Sequence, residues 1–182
     1  MIRLTKRVLI LGAFVLWLLP TSGYGKNRLE AVQLLKNDLR SLLPPETATK
    51  KEVEQEVDLL ALTIIQGFEE IHREFRMLRP PWLHNLFIHW RLREKGYCYH
   101  WTSAFYERLK PLPLRQFTLH WASARRGGFR EHNTLVITSE GGDFENGILI
   151  DGWRKSGRPF WNFVGKDRYP WEEEPEALGL VF

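Results

Sequence analysis

The chain has 182 residues, of which 43% are hydrophobic and 26% are charged, so it can bury a core and is not intrinsically disordered. This length corresponds to one domain with at most an accessory segment, and eight Trp residues exclude low-complexity, collagen-like and coiled-coil chains. The formal net charge is +4, but residues 1–25 contribute three basic side chains and no acidic one. The remainder is nearly neutral, and we therefore expect no nucleic-acid partner.

Residues 1–25 have the pattern of a secretory signal peptide. Met1–Arg7 is basic, residues 8–19 form the apolar run VLILGAFVLWLL, and Pro20 ends that run. A membrane-spanning helix needs about twenty apolar residues, so the run predicts an export signal that is cleaved after Gly23 or Gly25. The alternative is a short uncleaved anchor, which would keep the protein close to a membrane. In both cases we expect an exported protein, either periplasmic or extracellular.

Helical periodicity dominates residues 26–84, which we interpret as a helical N-terminal segment. Asn27–Leu43 carries apolar side chains every three or four residues, which predicts a first helix. The pattern of Thr49–Glu52 is typical of a capping box and predicts the start of a second helix. The apolar stripe of this second helix comprises Val53, Val57, Leu60, Ile64, Phe68, Ile71, Phe75 and Leu78. Such a stripe indicates packing against a partner helix, and a third helix is predicted over Trp82–Lys95.

The pattern changes to that of strands within residues 85–182. A helix is predicted over Tyr99–Lys110, directly after Cys98. Beyond it, alternating apolar side chains predict antiparallel strands over 116–122, 132–138 and 147–153, and the tail from Arg154 predicts loops with short strands. Helices followed by antiparallel strands indicate an α+β fold.

Cys98 is the only cysteine, so an intramolecular disulfide is excluded. It follows Gly96 and Tyr97 and opens a predicted helix, where the helix dipole and unpaired backbone N–H groups favour a thiolate. The backbone N–H of Cys98 would supply one donor to an oxyanion, and the sequence leaves a second donor unassigned. The alternative interpretation is an inert thiol in the core.

A thiolate nucleophile needs a base, and the base needs a group that orients it. Among the six histidines, His132 is the one for which we expect a carboxylate partner. If Ser139 pairs with Asn146 across the turn, Asp151 becomes a diagonal neighbour of His132 on the same face of the sheet. A shift of the register by one residue would separate them. The alternatives are an ordinary strand histidine and a carboxylate that only closes a turn at Asp151-Gly152.

Three motifs occur in the order nucleophile, base and orienting acid: GYCYHW over 96–101, EHNTLVI over 131–137 and GILIDGW over 147–153. Together they resemble the transglutaminase-like branch of the papain-like cysteine hydrolase superfamily, of the bacterial transglutaminase-like cysteine proteinase type. The resemblance covers about residues 85–170. It implies that Cys98 is the nucleophile, that His132 is its base and that Asp151 orients His132. We further expect the helix of Cys98 to direct its N-terminus at the sheet surface that bears His132 and Asp151.

The predicted function is an exported thiol-dependent hydrolase or acyltransferase that acts on amide or ester bonds through an acyl-enzyme. Its substrate would be a peptide, a protein or a cell-wall amide, held in an aromatic cleft that includes Trp101, Trp153 and Trp161. No metal or organic cofactor is expected. The alternatives are a catalytically silent binding module on the same fold and an envelope scaffold in which Cys98 is only part of the core.

Two further groups of side chains have weaker interpretations. Cys98, His100 and His120 could in principle hold zinc, but they lack the paired spacing of zinc motifs. Arg125, Arg126 and Arg130 are interpreted as a solvated loop, and the alternative is that they meet an anionic substrate near His132.

Overall fold

The computed structural model describes residues 22–179, which form five α-helices, five β-strands and three short 3₁₀ helices. The helices are α1 (Ser22–Ser41), α2 (Pro45–Ala48), α3 (Lys51–Phe75), α4 (Pro81–His89) and α5 (Cys98–Leu109). The strands are β1 (Phe117–Ala124), β2 (His132–Ser139), β3 (Ile148–Ile150), β4 (Trp161–Phe163) and β5 (Trp171–Glu173). Helices followed by an antiparallel sheet confirm the predicted α+β class.

The predicted signal segment lies almost entirely outside the described residues. Its apolar run over 8–19 is not among them, and its last residues, 22–25, belong to the first turn of α1. No helix within residues 22–179 is long and apolar enough to cross a membrane.

Helices α1 and α3 form the predicted helical pair. Seven of the eight stripe positions lie on α3 and are buried against the apolar side of α1, which contributes Val32, Leu35 and Leu39. The eighth position, Leu78, lies beyond the helix, because Arg76 adopts a left-handed conformation with φ 47° and ends α3.

The predicted start of α3 and the predicted end of α4 are wrong. The Thr49 hydroxyl donates to the carbonyl of Glu46 and Thr49 caps the end of α2, so it does not form a capping box for α3. Helix α3 instead begins after Lys50, without a side-chain cap. The third helix was predicted to extend to Lys95, but α4 ends at His89 because Arg91 takes a left-handed conformation with φ 59°.

The five strands form one antiparallel sheet in the order β4-β3-β2-β1-β5. Strand β2 pairs with β3 through Leu135 opposite Ile150 and Ile137 opposite Ile148, which confirms the predicted register. Strand β3 is shorter than predicted, since it ends at Ile150. The backbone N–H of Asp151 still donates to Phe160, and the chain then turns.

The sheet has a separate apolar cluster on each face. Helix α5 packs Trp101 and Phe105 on the face that carries Leu135 and Ile137. Because side chains alternate along a strand, His132 belongs to the other face of β2. The prediction that the N-terminus of α5 faces the surface bearing His132 is therefore wrong: α5 covers the opposite face, and its first turn reaches the end of β2.

Candidate active site

Cys98 is the first residue of α5, and its thiol is partly exposed. The helix start is organised by His100, whose Nδ1 accepts hydrogen bonds from the backbone N–H groups of Gly96 at 3.1 Å and Tyr97 at 3.2 Å. Burial and the nearby charge of Lys95 lower the pKa of His100 to about 4. His100 is thus a neutral acceptor that fixes the turn before the thiol, and it is not available as the base of Cys98.

The loop before Cys98 is anchored on a buried histidine. His84 accepts a hydrogen bond from the backbone N–H of Leu78 through Nδ1, and its Nε2 donates to the carbonyl of Lys95 at 2.8 Å. Gly96 has φ +133°, and a Cβ at this position would lie 2.2 Å from His84 Nε2. Only glycine allows the chain to pass His84 this closely in this conformation before it enters α5.

His132 and Asp151 form a buried pair at the adjoining end of the sheet. The Nε2–H of His132 donates to Oδ2 of Asp151 at 2.6 Å, and the two residues are 3% and 2% exposed. Since Nε2 is engaged by the carboxylate, Nδ1 is the nitrogen left free for another partner, and His132 lines the same cavity as Cys98. The structure thus brings together the three side chains that were predicted to form the triad.

The charges of this pair are mutually stabilised. Burial opposes the protonated imidazole, but hydrogen bonds to Asp151 and Cys98 and their negative charges outweigh it and raise the pKa of His132 to about 9. Burial also opposes the carboxylate of Asp151, yet the hydrogen bond and charge of His132 and the charge of Arg154 lower its pKa. The protonated imidazole places a positive charge in the cavity that Cys98 also lines.

Arg154 is a component that the sequence analysis missed. Its Nε donates to Asp151 Oδ2 at 2.5 Å, and the backbone N–H groups of Trp153 and Arg154 each donate to Oδ1 at 3.0 Å. Its Nη1 donates to Asp167 at 2.9 Å. The sequence did contain a signal for this role. Asp151 and Arg154 are three residues apart directly after an apolar strand, and this spacing is typical of a turn in which a carboxylate accepts hydrogen bonds from the residues that follow it.

Aromatic rings surround the imidazole of His132. The ring centroids of Trp153, Tyr169 and Trp171 lie 5.1, 5.2 and 5.5 Å from it. The indole N–H of Trp153 donates to Asn85 on α4 at 3.1 Å, which fixes the ring between the helix and the imidazole. These rings shield the His132–Asp151 pair from water, so the hydrogen bond acts in a low-dielectric environment.

Of the three tryptophans predicted to bind substrate, only Trp153 borders the cavity of Cys98. Trp101 is 2% exposed and lies beneath Gly152, so it belongs to the core and cannot contact a substrate in this cavity. Trp161 lines a different cavity, between α1, α3 and the loop before β4, and donates its indole N–H to Asp38 at 2.8 Å. The prediction for Trp101 and Trp161 is therefore wrong, because aromatic composition does not distinguish core rings from cleft rings.

Asn133 is the second functional candidate that the sequence analysis missed. Its Oδ1 accepts a hydrogen bond from the indole N–H of Trp121 at 2.9 Å. Its Nδ2 consequently faces the other way, 3.9 Å from Cys98 Sγ and 3.2 Å from Oε1 of Glu131. Asn133 lies on the face of β2 that α5 covers, which explains why it reaches Cys98 although its neighbour His132 points to the other face.

The histidines of the zinc alternative lie in separate environments. His120 contacts Glu173 through Nδ1 at 2.6 Å and Thr138 through Nε2 at 2.8 Å, whereas His100 caps the start of α5. His120 thus also has a carboxylate partner, and the expectation that His132 alone would have one is wrong. Within residues 22–179, no group of three or more His, Cys, Asp or Glu side chains is placed to hold a metal ion.

A cavity of about 810 Å³ opens beside the thiol.

Comparison of the chain with protein-family models, curated proteins and solved structures finds no match. Chemically, the arrangement combines a thiol at a helix N-terminus, an imidazole oriented by a buried carboxylate, and an amide N–H donor of Asn133 that faces the sulfur. Such an arrangement is suited to acyl transfer through a covalent intermediate.

Proposed function

We propose that this protein is a thiol-dependent hydrolase or acyltransferase that acts on amide or ester bonds, with a core of the papain-like, transglutaminase-like type. The observation that carries the proposal is the position of one imidazole, which pairs with a buried carboxylate and lines the same cavity as the thiol of Cys98. His132 meets the buried Asp151 through Nε2 and has its other nitrogen available to Cys98 at the start of α5.

In the first half of the reaction, the Cys98 thiolate attacks the carbonyl carbon of the substrate. A C–S bond forms, and the electron pair of the carbonyl π bond moves to the oxygen, which becomes an oxyanion. The imidazolium of His132 then gives its proton to the leaving nitrogen or oxygen. The electron pair of the oxyanion re-forms the C=O bond, and the bond between the leaving atom and the carbonyl carbon breaks. The products are a thioester on Cys98 and a free amine or alcohol.

The second half regenerates the thiol. Neutral His132 removes a proton from water or from an acceptor amine, which attacks the thioester carbon. The C–S bond then breaks and releases an acid or a new amide, and the thiolate–imidazolium pair is restored. Asp151 keeps Nε2 protonated throughout, so the nitrogen that exchanges the proton always faces the thiol.

The oxyanion needs donors that are already in place. The backbone N–H of Cys98 is one, as expected for a residue at the start of a helix. Asn133 supplies the second donor through Nδ2. Its amide oxygen is held by Trp121, so its amide NH₂ group faces the sulfur. Asn133 is thus our candidate for the donor that the sequence alone left unassigned.

The substrate class that follows from this chemistry is a peptide, a protein or a cell-wall amide that enters the cavity beside Cys98. Trp82, Tyr97 and Phe129 contribute aromatic surface to the walls of the cavity. Export of the protein, proposed from residues 1–25, would place it where cell-wall and extracellular amides occur.

The deciding experiment is alkylation of Cys98 by iodoacetamide as a function of pH. An ordinary thiol reacts slowly at about pH 6 because it is protonated. A thiolate held by His132 should react at that pH about tenfold faster or more, and His132→Ala should remove this advantage. The rate is followed by mass spectrometry of the peptide that contains Cys98.

His120→Ala is the matched control, because that histidine also pairs with a carboxylate but contacts Thr138 and Glu173. It should leave the rate of alkylation unchanged. If Cys98 reacts like a free thiol at every pH and does not respond to His132→Ala, no ion pair exists. The enzyme proposal would then give way to a binding module.

A further inference from the structure

The cavity beside Cys98 has an excess of positive charge. Arg125, Arg130 and Arg168 lie in its wall, whereas Glu131 is the only carboxylate there among the described residues. The carboxylate of Glu131 accepts hydrogen bonds from the backbone N–H of Gly127 at 2.7 Å and from Asn133 at 3.2 Å. Its charge is thus directed at neutral donors and not at the arginines.

The three arginines have no anionic partner of their own. Within residues 22–179, none of them forms an ion pair, in contrast to their neighbour Arg126, which pairs with Glu174 at 2.5 Å. All three are exposed at the surface of the cavity. A guanidinium that faces a concave site without an anionic partner is well suited to bind carboxylate or phosphate, since its N–H groups match two oxygens.

Two of these charges stand close to the reacting groups. The guanidinium carbons of Arg125 and Arg168 lie 5.2 and 5.3 Å from the ring centroid of Tyr169. The ring of Tyr169 in turn lies 5.2 Å from the ring of His132. Tyr169 therefore holds Arg125 and Arg168 one aromatic ring away from the imidazole. A third guanidinium, that of Arg154, also lies 4.9 Å from this ring, but it is paired with Asp151 and Asp167.

We propose that this cavity selects acyl substrates that carry a negatively charged group, a carboxylate or a phosphate, close to the bond that is cleaved. This inference rests on the proposed function, because it names the substrate class of the same site. Arg125 and Arg130 of the loop after β1, which the sequence analysis interpreted as solvated with substrate contact as the alternative, thereby take that alternative role together with Arg168, whereas Arg126 pairs with Glu174.

The test compares two alkylating agents of similar size, the anion iodoacetate and the neutral iodoacetamide. Both form an S–C bond with Cys98 and release iodide, so the iodoacetate rate divided by the iodoacetamide rate reports attraction of the anion. This ratio should be higher for Cys98 than for free cysteine. Each of the variants Arg125→Gln, Arg130→Gln and Arg168→Gln should lower it by about two- to fivefold. Added salt should lower it as well.

Arg158→Gln is the control, because this exposed arginine lines the separate cavity beside Trp161. It should leave the ratio unchanged. The iodoacetamide rate of each variant shows that the thiol and the fold are intact. Protection of Cys98 by glutarate or by inorganic phosphate identifies the preferred anion.

The two proposals fail in different ways. If iodoacetamide reacts slowly with Cys98 and the rate does not change in His132→Ala, the proposed enzymatic function is contradicted. This holds for any ratio of the iodoacetate rate to the iodoacetamide rate. A fast iodoacetamide reaction with a ratio that does not change in the three arginine variants would contradict anion selection alone.

Discussion

The imidazole of His132 lies between a carboxylate and a thiol, and both favour its protonated form. Burial alone would lower its pKa, but the contacts with Asp151 and Cys98 raise it to about 9. Because the pKa in the folded protein is above the unfolded value of about 6.5, the pair stabilises the fold fully below that value. This stabilisation is lost as the pH rises through 9.

We therefore predict a raised titration of His132 that depends on its carboxylate. Imidazole resonances of His132, followed by NMR as a function of pH, should titrate near 9 in the native protein. In Asp151→Asn the negative partner is absent, so the midpoint should fall by more than about one unit toward 6.5. A midpoint near 6.5 in both proteins would show that the imidazole is not held as a cation.

Asn133 gives a second prediction at this scale. Asn133→Ala removes the side-chain donor that we propose for the oxyanion, so turnover of an amide or ester substrate should fall about 10²- to 10³-fold. Alkylation by iodoacetamide passes through no oxyanion at a carbonyl carbon, so its rate at Cys98 should stay the same. Both rates are measured on the same preparation.

A combined loss of turnover and alkylation would point to a damaged site and not to a missing donor. Asn133→Asp keeps the shape of the side chain but places a carboxylate oxygen where the amide nitrogen Nδ2 was. This variant should lose as much turnover as Asn133→Ala. Full activity of Asn133→Ala would contradict the assignment.

Helix α5 contacts the turn after β3 at Gly152, where there is no space for a side chain. A Cβ on Gly152 would lie 2.0 Å from Cε3 of Trp101, which is buried against Phe75. The glycine thus lets α5 approach the turn that carries Asp151. Overpacking of a buried contact costs about 1–3 kcal/mol.

We predict that Gly152→Ala lowers the free energy of unfolding by that amount and slows alkylation of Cys98 at about pH 6, because α5 moves away from His132. Trp101→Leu makes room for the added methyl group. In the double variant, the cost of Gly152→Ala should therefore be smaller by about 0.5–3 kcal/mol than in the native chain. Urea unfolding of the four proteins measures it, and strictly additive costs would contradict the contact.

Periodicity predicted the elements better than their ends. The stripe on α3 and the pairing of β2 with β3 follow from spacing alone, because core-facing side chains must recur at the period of the element. The ends depend on single side chains that bind backbone groups. Thr49 bonds backwards to Glu46, and Asp151 accepts the N–H groups of the following turn, so one helix begins later and one strand ends earlier than predicted.

The same distinction applies to the site. The juxtaposition of His132 and Asp151 was predictable, because it depends only on the strand register. Arg154 and Asn133 were not, since their roles arise from contacts with Asp167 and Trp121, which no local pattern connects to them. The three tryptophans could not be distinguished by residue type. Trp101 lies in the core, Trp153 at the cavity and Trp161 against α1.

At the scale of the whole molecule, α1 links the helical pair to the sheet. It buries Val32, Leu35 and Leu39 against α3, and its Asp38 accepts the indole N–H of Trp161 on β4. Among the side chains described from Asn27 onward, the first buried one on this helix is Val32. Loss of the chain before Lys26 would therefore remove none of these contacts.

This arrangement leads to a prediction about residues 1–25. A chain that begins at Lys26 should have the same midpoint of urea unfolding as the full chain, because the buried contacts of α1 lie at and beyond Val32. When the full chain is expressed in a bacterial host, we expect export and cleavage after Gly23 or Gly25. Intact-mass spectrometry of the purified protein should then give an N-terminus at Tyr24 or Lys26. Recovery of the chain with its apolar run still attached, in the membrane fraction, would instead favour the uncleaved anchor.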